Sequence, residues 1–226
     1  MTISRNAILK SVLVRLHEHH GVLAEPPRDP FTLVLLENVA YLAKGDQRQE
    51  ALRLLERTVG TDPASILAAS DSQLQAVTAH GILGDTFANK LRECATIAID
   101  EFGGNLDEVV DRPLPAAKKA LRRFPGIGEP GAEKILLFTR RQPLLAPESN
   151  GLRVLTRLGA VREESSYAKT YATARALGAE LGLSIPDLVI AHLLLQHHGQ
   201  TLCRRSQPDC PACPVRESCA FGRAER

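Results

Sequence analysis

Cys203, Cys210, Cys213 and Cys219 fall within the last 24 residues of a 226-residue chain, spaced C-x6-C-x2-C-x5-C. Four thiolates in so short a stretch repel one another unless a cation neutralises them, so the spacing points to a metal site. A single Zn²⁺ and an iron–sulfur cluster both accept four thiolates, and the spacing fits either. The cysteines are too local to staple a fold through disulfides. The fifth, Cys94, lies in a helical apolar pattern with Leu91, Ala95 and Ala98 and belongs to the core.

The segment FPGIGEPGAEK, residues 124–134, carries a second chemistry. Gly126 and Gly128 allow positive φ and close approach, so the N–H groups opening the next helix can grip a phosphate. Residues 112–141 hold eight Lys and Arg against Glu129 and Glu133, although the whole chain is only +2. Local positive charge of that kind suits the DNA backbone; a solvated helix face would look the same. Pro130 offers no nucleophile, and near the first turn of a helix its missing N–H is tolerated. Lys134 follows one turn later.

Two carboxylates stand where acid–base chemistry could use them. Glu37, in DPFTLVLLENVAYL, has Leu33, Val34, Ala40 and Tyr41 three and four positions away. A carboxyl on an apolar helix face favours its protonated form and can donate a proton; a glutamate satisfied by a helix partner is the plainer alternative. Glu148, in PLLAPESNGLRVLTRLG, stands where an acid can open a helix, with Asn150 beside it as a turn residue or a polar contact.

The elements that carry these residues are helical. Apolar residues recur at three and four, as in Leu33, Leu36, Val39 and Leu42, and no strand-length alternation occurs. The fold class expected is all-α. Asp62-Pro63, Asp85 and Ser165 or Ser166 read as helix starts, and Gly103, Gly182 and Gly199 as ends. Proline-bearing joints at 24–30 and 140–151 suggest a central domain over 27–142. The termini, 1–26 and 143–226, then pair into a second domain with a metal loop at 203–219. Aromatics at 4% and no Trp argue against a base-stacking single-strand binder. The amino terminus lacks a signal-peptide core and no run approaches about 18 uncharged apolar residues, which leads us to expect a soluble cytoplasmic protein.

LLLQHHGQTLCRRSQPDCPACPVRESC resembles the carboxyl end of the endonuclease III family, and LRRFPGIGEPGAEKILLF resembles its helix-hairpin-helix, about 112–140. The likeness runs from about 29 to 221 and includes GILGDTFANKLRECATIAIDEFGG before the hairpin. It implies a two-domain DNA glycosylase fold, and a [4Fe–4S] cluster on the four cysteines whose loop presents Arg204, Arg205 and Arg216 to phosphate. Bifunctional members carry a lysine two residues past the second glycine, where this chain has Pro130. Glu148 falls on the family aspartate that stabilises the sugar cation or activates water, and Glu-Ser-Asn-Gly-Leu-Arg-Val is similar to the D-x-N-x-x-R-V form of the MutY branch. Asn150 matches its asparagine. Glu37 falls on the glutamate that in that branch protonates the departing base. Tyr41 and Leu42 lie where the family fills the gap left by the flipped base.

Together these readings predict a monomeric base-excision glycosylase acting on double-stranded DNA with a damaged or mispaired base. Glu37 and Glu148 would be catalytic, Gly126, Gly128, Asn150, Tyr41, Leu42, Arg204 and Arg205 would contact DNA, and no efficient lyase step is expected. The alternative is a non-catalytic protein that senses distorted or abasic DNA; a zinc-bound regulator is a third reading.

Overall fold

The computed structural model describes residues 5–40, 47–81 and 83–224. In chain order the α-helices are α1 (Arg5–His20), α2 (Pro30–Asn38), α3 (Gln47–Thr58), α4 (Pro63–Ala68), α5 (Asp71–Thr78), α6 (Gly84–Phe102), α7 (Asp107–Val110), α8 (Leu114–Leu121), α9 (Glu129–Phe138), α10 (Ser149–Leu158), α11 (Tyr167–Glu180), α12 (Ile185–Thr201) and α13 (Ala220–Ala224). The described residues contain no strand. The chain divides into two compact units, one of Pro26–Arg141 and one of Met1–Glu25 with Gln142–Arg226.

In the central unit α6 is the axis. It buries Phe87, Ala88, Leu91, Cys94, Ala95 and Ala98 along one stripe, and α2, α4 and α5 pack against it. Burial pushes the Cys94 thiol up to about 12, which makes it an inert apolar side chain. α2 is buried nearly all round, as its run of Phe, Leu and Val requires. Its start is set by Asp29, whose carboxylate accepts from Thr32 N at 2.6 Å ahead of Pro30. Asp62 caps α4 through Ser65 N in the same way, and Ser70 with Gln73 forms a capping box on α5. α8 and α9 pack together as the hairpin.

In the second unit α10 and α1 both pack on α12, and α11 and α13 pack on α10. Ser166 caps α11, and Gly182, at φ 60°, follows its end. Gly199 does not end a helix, as its residue type suggested, but lies inside α12. A Cβ there would stand 2.7 Å from the Asn150 carbonyl oxygen. The glycine serves close approach of α10 to α12, a tertiary need that local punctuation does not encode.

Candidate catalytic and DNA-binding site

The hairpin turn is held from beneath by α2. Gly126 has φ 74°, and a Cβ on it would lie 2.9 Å from Asn38 Oδ1. The buried Asn38 donates through Nδ2 to Pro125 O at 3.0 Å and to Val34 O at 3.1 Å, which ties the turn to that helix. Gly128 needs no positive φ: it sits at φ −89°, ψ −171°, extended backbone open to any residue. Its lack of a side chain instead leaves the start of α9 uncovered and uncapped. The helix therefore presents its positive end to an anion without a capping oxygen in competition.

The basic charge of this region is largely committed to nearby acids. Lys118 bonds Glu129, and reaches the fully buried Glu133 at 2.9 Å. Burial works against the Lys118 ammonium, yet the two glutamates raise it above the ordinary lysine value. Arg123 pairs with Glu101 at 2.8 Å, and Arg141 with Asp111 at 3.2 Å. The excess read from 112–141 is thus a weaker argument for DNA than the sequence suggested, because its partners lie outside that window or across the hairpin.

Glu37 is the largest departure. It does not stand on a wholly apolar face: Lys134, arriving from α9, places Nζ 2.7 Å from Glu37 Oε1, with the side chains 12% and 15% exposed. A carboxylate and an ammonium held together with little water form a strong, orientation-sensitive pair. Helical periodicity showed the neighbours on α2 and could not show a partner from another helix. Tyr41 and Leu42 lie outside the described residues. A side chain that the sequence did not single out is Leu83, at the head of α6, 61% exposed with a left-handed φ of 58°. An apolar branched residue held in that conformation has no local reason to be there.

In the second unit Glu148 caps α10. Its Oε1 accepts from Asn150 N at 2.9 Å and Gly151 N at 3.2 Å, and Oε2 from Asn150 Nδ2 at 3.0 Å. Asn150 Oδ1 accepts in turn from Arg153 Nη2 at 2.9 Å, and that guanidinium also donates to Gly199 O at 2.7 Å and Cys203 O at 3.0 Å. An unbroken chain of hydrogen bonds therefore runs from the cysteine loop to the Glu148 carboxylate. Arg157 adds a parallel tie, donating to the carbonyls of Arg204 at 2.7 Å and Arg205 at 3.1 Å. The side chains of Arg204 and Arg205 are exposed. The arginine of Glu-Ser-Asn-Gly-Leu-Arg-Val was legible as a motif member; its role as a strut was not.

All four cysteines of the tail line one small pocket, walled by Val154, Leu158, Leu202 and Val215. Among the described residues no group of three or more His, Cys, Asp or Glu is closed up tightly enough to hold a metal ion. The donor set still fits a thiolate-bound group. Arg157 Nη1 lies 3.4 Å from Cys203 Sγ, Gly222 N donates to Cys219 Sγ at 3.4 Å, and His198 Nε2 lies 3.6 Å from Cys213 Sγ. Burial pushes the Cys213 thiol up, a penalty on free thiolate that a bound cation reverses.

No family model matches the chain. It superposes on a non-covalent complex of endonuclease III with DNA over 99% of this chain and 98% of that one, with a TM-score of 0.76 at 19% identity. The fold is accordingly the all-helical helix-hairpin-helix fold of endonuclease III. In sequence the chain is 23% identical to endonuclease III of Rickettsia felis over 194 residues, 86% of this chain and 84% of the relative. It is 32% identical to that of Rickettsia conorii over 111 residues, a match spanning about half of each protein, 48% and 49%. The chain is thus similar to endonuclease III in fold along nearly its whole length and in sequence along 86% of it.

Proposed function

We propose that the protein is a DNA glycosylase that removes a damaged or mispaired base by hydrolysis alone, with no efficient strand cleavage at the abasic site. The observation that carries this reading is the fate of the amine. Pro130 occupies the second position of α9 and has no nucleophile, and the nearby Lys134 is engaged as an ammonium by Glu37 at 2.7 Å. An amine must be free to attack C1′ and form a Schiff base, and this one is held by a carboxylate from another helix.

The residues of each unit, taken by itself, suit one part of the chemistry. On the central unit the start of α9 and the Gly126 turn hold a phosphate, and the Glu37–Lys134 pair provides the proton. Glu37 relays that proton from water to the departing base nitrogen and returns to a carboxylate, with Lys134 remaining its ammonium partner throughout. On the second unit the Glu148 carboxylate faces developing positive charge on the sugar or takes the proton of the attacking water, whose oxygen forms the new bond to C1′. Asn150 and Arg153 orient it. Leu83 is the exposed apolar side chain suited to enter the stack where the base leaves. Cys203, Cys210, Cys213 and Cys219 would hold a [4Fe–4S] cluster, which would supply fixed cross-links to the loop bearing Arg204 and Arg205. Double-stranded DNA carrying the lesion is the partner, bound by a monomer.

Borohydride trapping on an abasic-site duplex tests the hydrolytic reading. No covalent enzyme–DNA product is expected from the wild type; a trapped product that disappears in Lys134→Ala contradicts it. One observation favours the non-catalytic reading: both oxygens of Glu148 are already engaged in the helix cap. Glu148→Gln separates the two, since a binder would keep its lesion affinity and its cellular protection, whereas an enzyme would keep affinity and lose protection.

A further inference from the structure

We infer that His198 is a hydrogen-bond donor to the metal-ligating sulfur of Cys213, oriented by His20, and that this pair raises the reduction potential of the cluster. The inference rests on the cluster reading above and goes beyond it. His198 is buried in the last turns of α12, with Nε2 3.6 Å from Cys213 Sγ. Its other nitrogen, Nδ1, lies 3.1 Å from Nε2 of His20 at the end of α1. Two helices far apart in sequence therefore meet in a two-ring chain that ends on a cysteine sulfur.

The protons in this chain follow from what each atom can do. A ligating Cys213 sulfur is a thiolate and can only accept, so His198 must carry hydrogen on Nε2. Its Nδ1 is then the atom that meets Nε2 of His20, with one proton shared between the two nitrogens. His20 is further packed edge-on against His19, with ring centroids 4.7 Å apart, and against His197 at 4.9 Å. These contacts fix the plane of His20 and with it the aim of His198.

The consequence for a cluster is directional. Reduction adds negative charge to the iron and its sulfurs, and an N–H aimed at a ligand sulfur stabilises that charge more than the oxidised state. Arg157 at Cys203 and Gly222 at Cys219 contribute donors of the same kind. His198 differs in being a side chain oriented by a second side chain, so it can be altered stepwise without moving the loop backbone.

The test is the reduction potential of the iron-loaded full-length protein, followed by visible absorption, together with the Fe–S(Cys) stretching frequencies before and after exchange into D₂O. His198→Leu removes the donor and is expected to shift the potential negative by roughly tenfold in the reduction equilibrium, about 59 mV for one electron, and to abolish the deuterium shift. His198→Gln, whose amide can donate, recovers part of both. His20→Phe, which leaves the donor in place and removes its orientation, falls between, and decides the matter if His198→Leu does not load iron. Loaded variants with unchanged potential and deuterium sensitivity overturn the inference. A wild type that purifies without iron overturns the cluster reading and this inference with it, an outcome told apart by metal content alone.

Discussion

Lys134, paired with Glu37, carries the proposed difference from a relative with a nucleophilic lysine. Its ammonium and the Glu37 carboxylate are nearly shielded from water, so removing one partner strands the other. Lys134→Met is expected to cost on the order of 2–3 kcal/mol in urea unfolding, below the 3–5 of a fully buried pair because some solvent remains. The double variant with Glu37→Gln should recover part of that loss, since it leaves no unpaired charge, while base release stays slow. Equal losses in single and double variants would show that the pair is not coupled. Leu83 permits a cleaner separation of stability from activity. Leu83→Gly relieves a left-handed cost of about 1 kcal/mol and adds a similar entropic cost in the unfolded chain. Stability should barely change, and single-turnover base release should fall at least tenfold; unchanged release would remove Leu83 from the site.

At the scale of elements, the candidate site depends on how closely helices approach. Gly199 lets α12 lie against Asn150, and Asn150 passes that contact to Glu148. In Gly199→Ala the added methyl meets backbone at 2.7 Å, an overpacking expected to cost about 1–3 kcal/mol. Base release should fall with it even where the folded population is complete, because Glu148 loses its alignment. A thermal melt paired with activity at low temperature distinguishes this from simple unfolding. Helix caps set the acid response. The Asp62 carboxyl is held below its ordinary 3.8 by the Ser65 side chain and then by backbone N–H groups. A depressed acid contributes stability that is present above its unfolded value and lost as pH falls through the lower folded one. Asp62→Asn keeps the acceptor and loses the charge, so its stability curve should be flatter below about pH 4 than the wild type's.

For the whole molecule, much was legible because it is local. The 3.6-residue period marked an all-helical chain, Asp62-Pro63 and Ser166 marked helix starts, and cysteine spacing marked four residues that line one pocket. Contacts between helices were not legible. Nothing along α2 announces that Lys134 reaches Glu37, that Asn38 carries the Gly126 turn, or that Gly199 is kept bare for Asn150. The basic run over 112–141 misled for the same reason, since Glu101, Asp107 and Asp111 fold back onto Arg123 and Arg141. Motif residues such as Arg153 are visible as letters, and their hydrogen bonds between α10, α12 and the cysteine loop arise only in the fold. The central claim is hydrolysis without an amine, and one measurement bears on it most directly: incubation with end-labelled duplexes carrying each common lesion and mismatch, read before and after hot alkali. Base loss on at least one duplex, with strand breaks only after alkali, is the result predicted. Breaks without alkali, or no abasic product on any duplex despite tight binding, would contradict it.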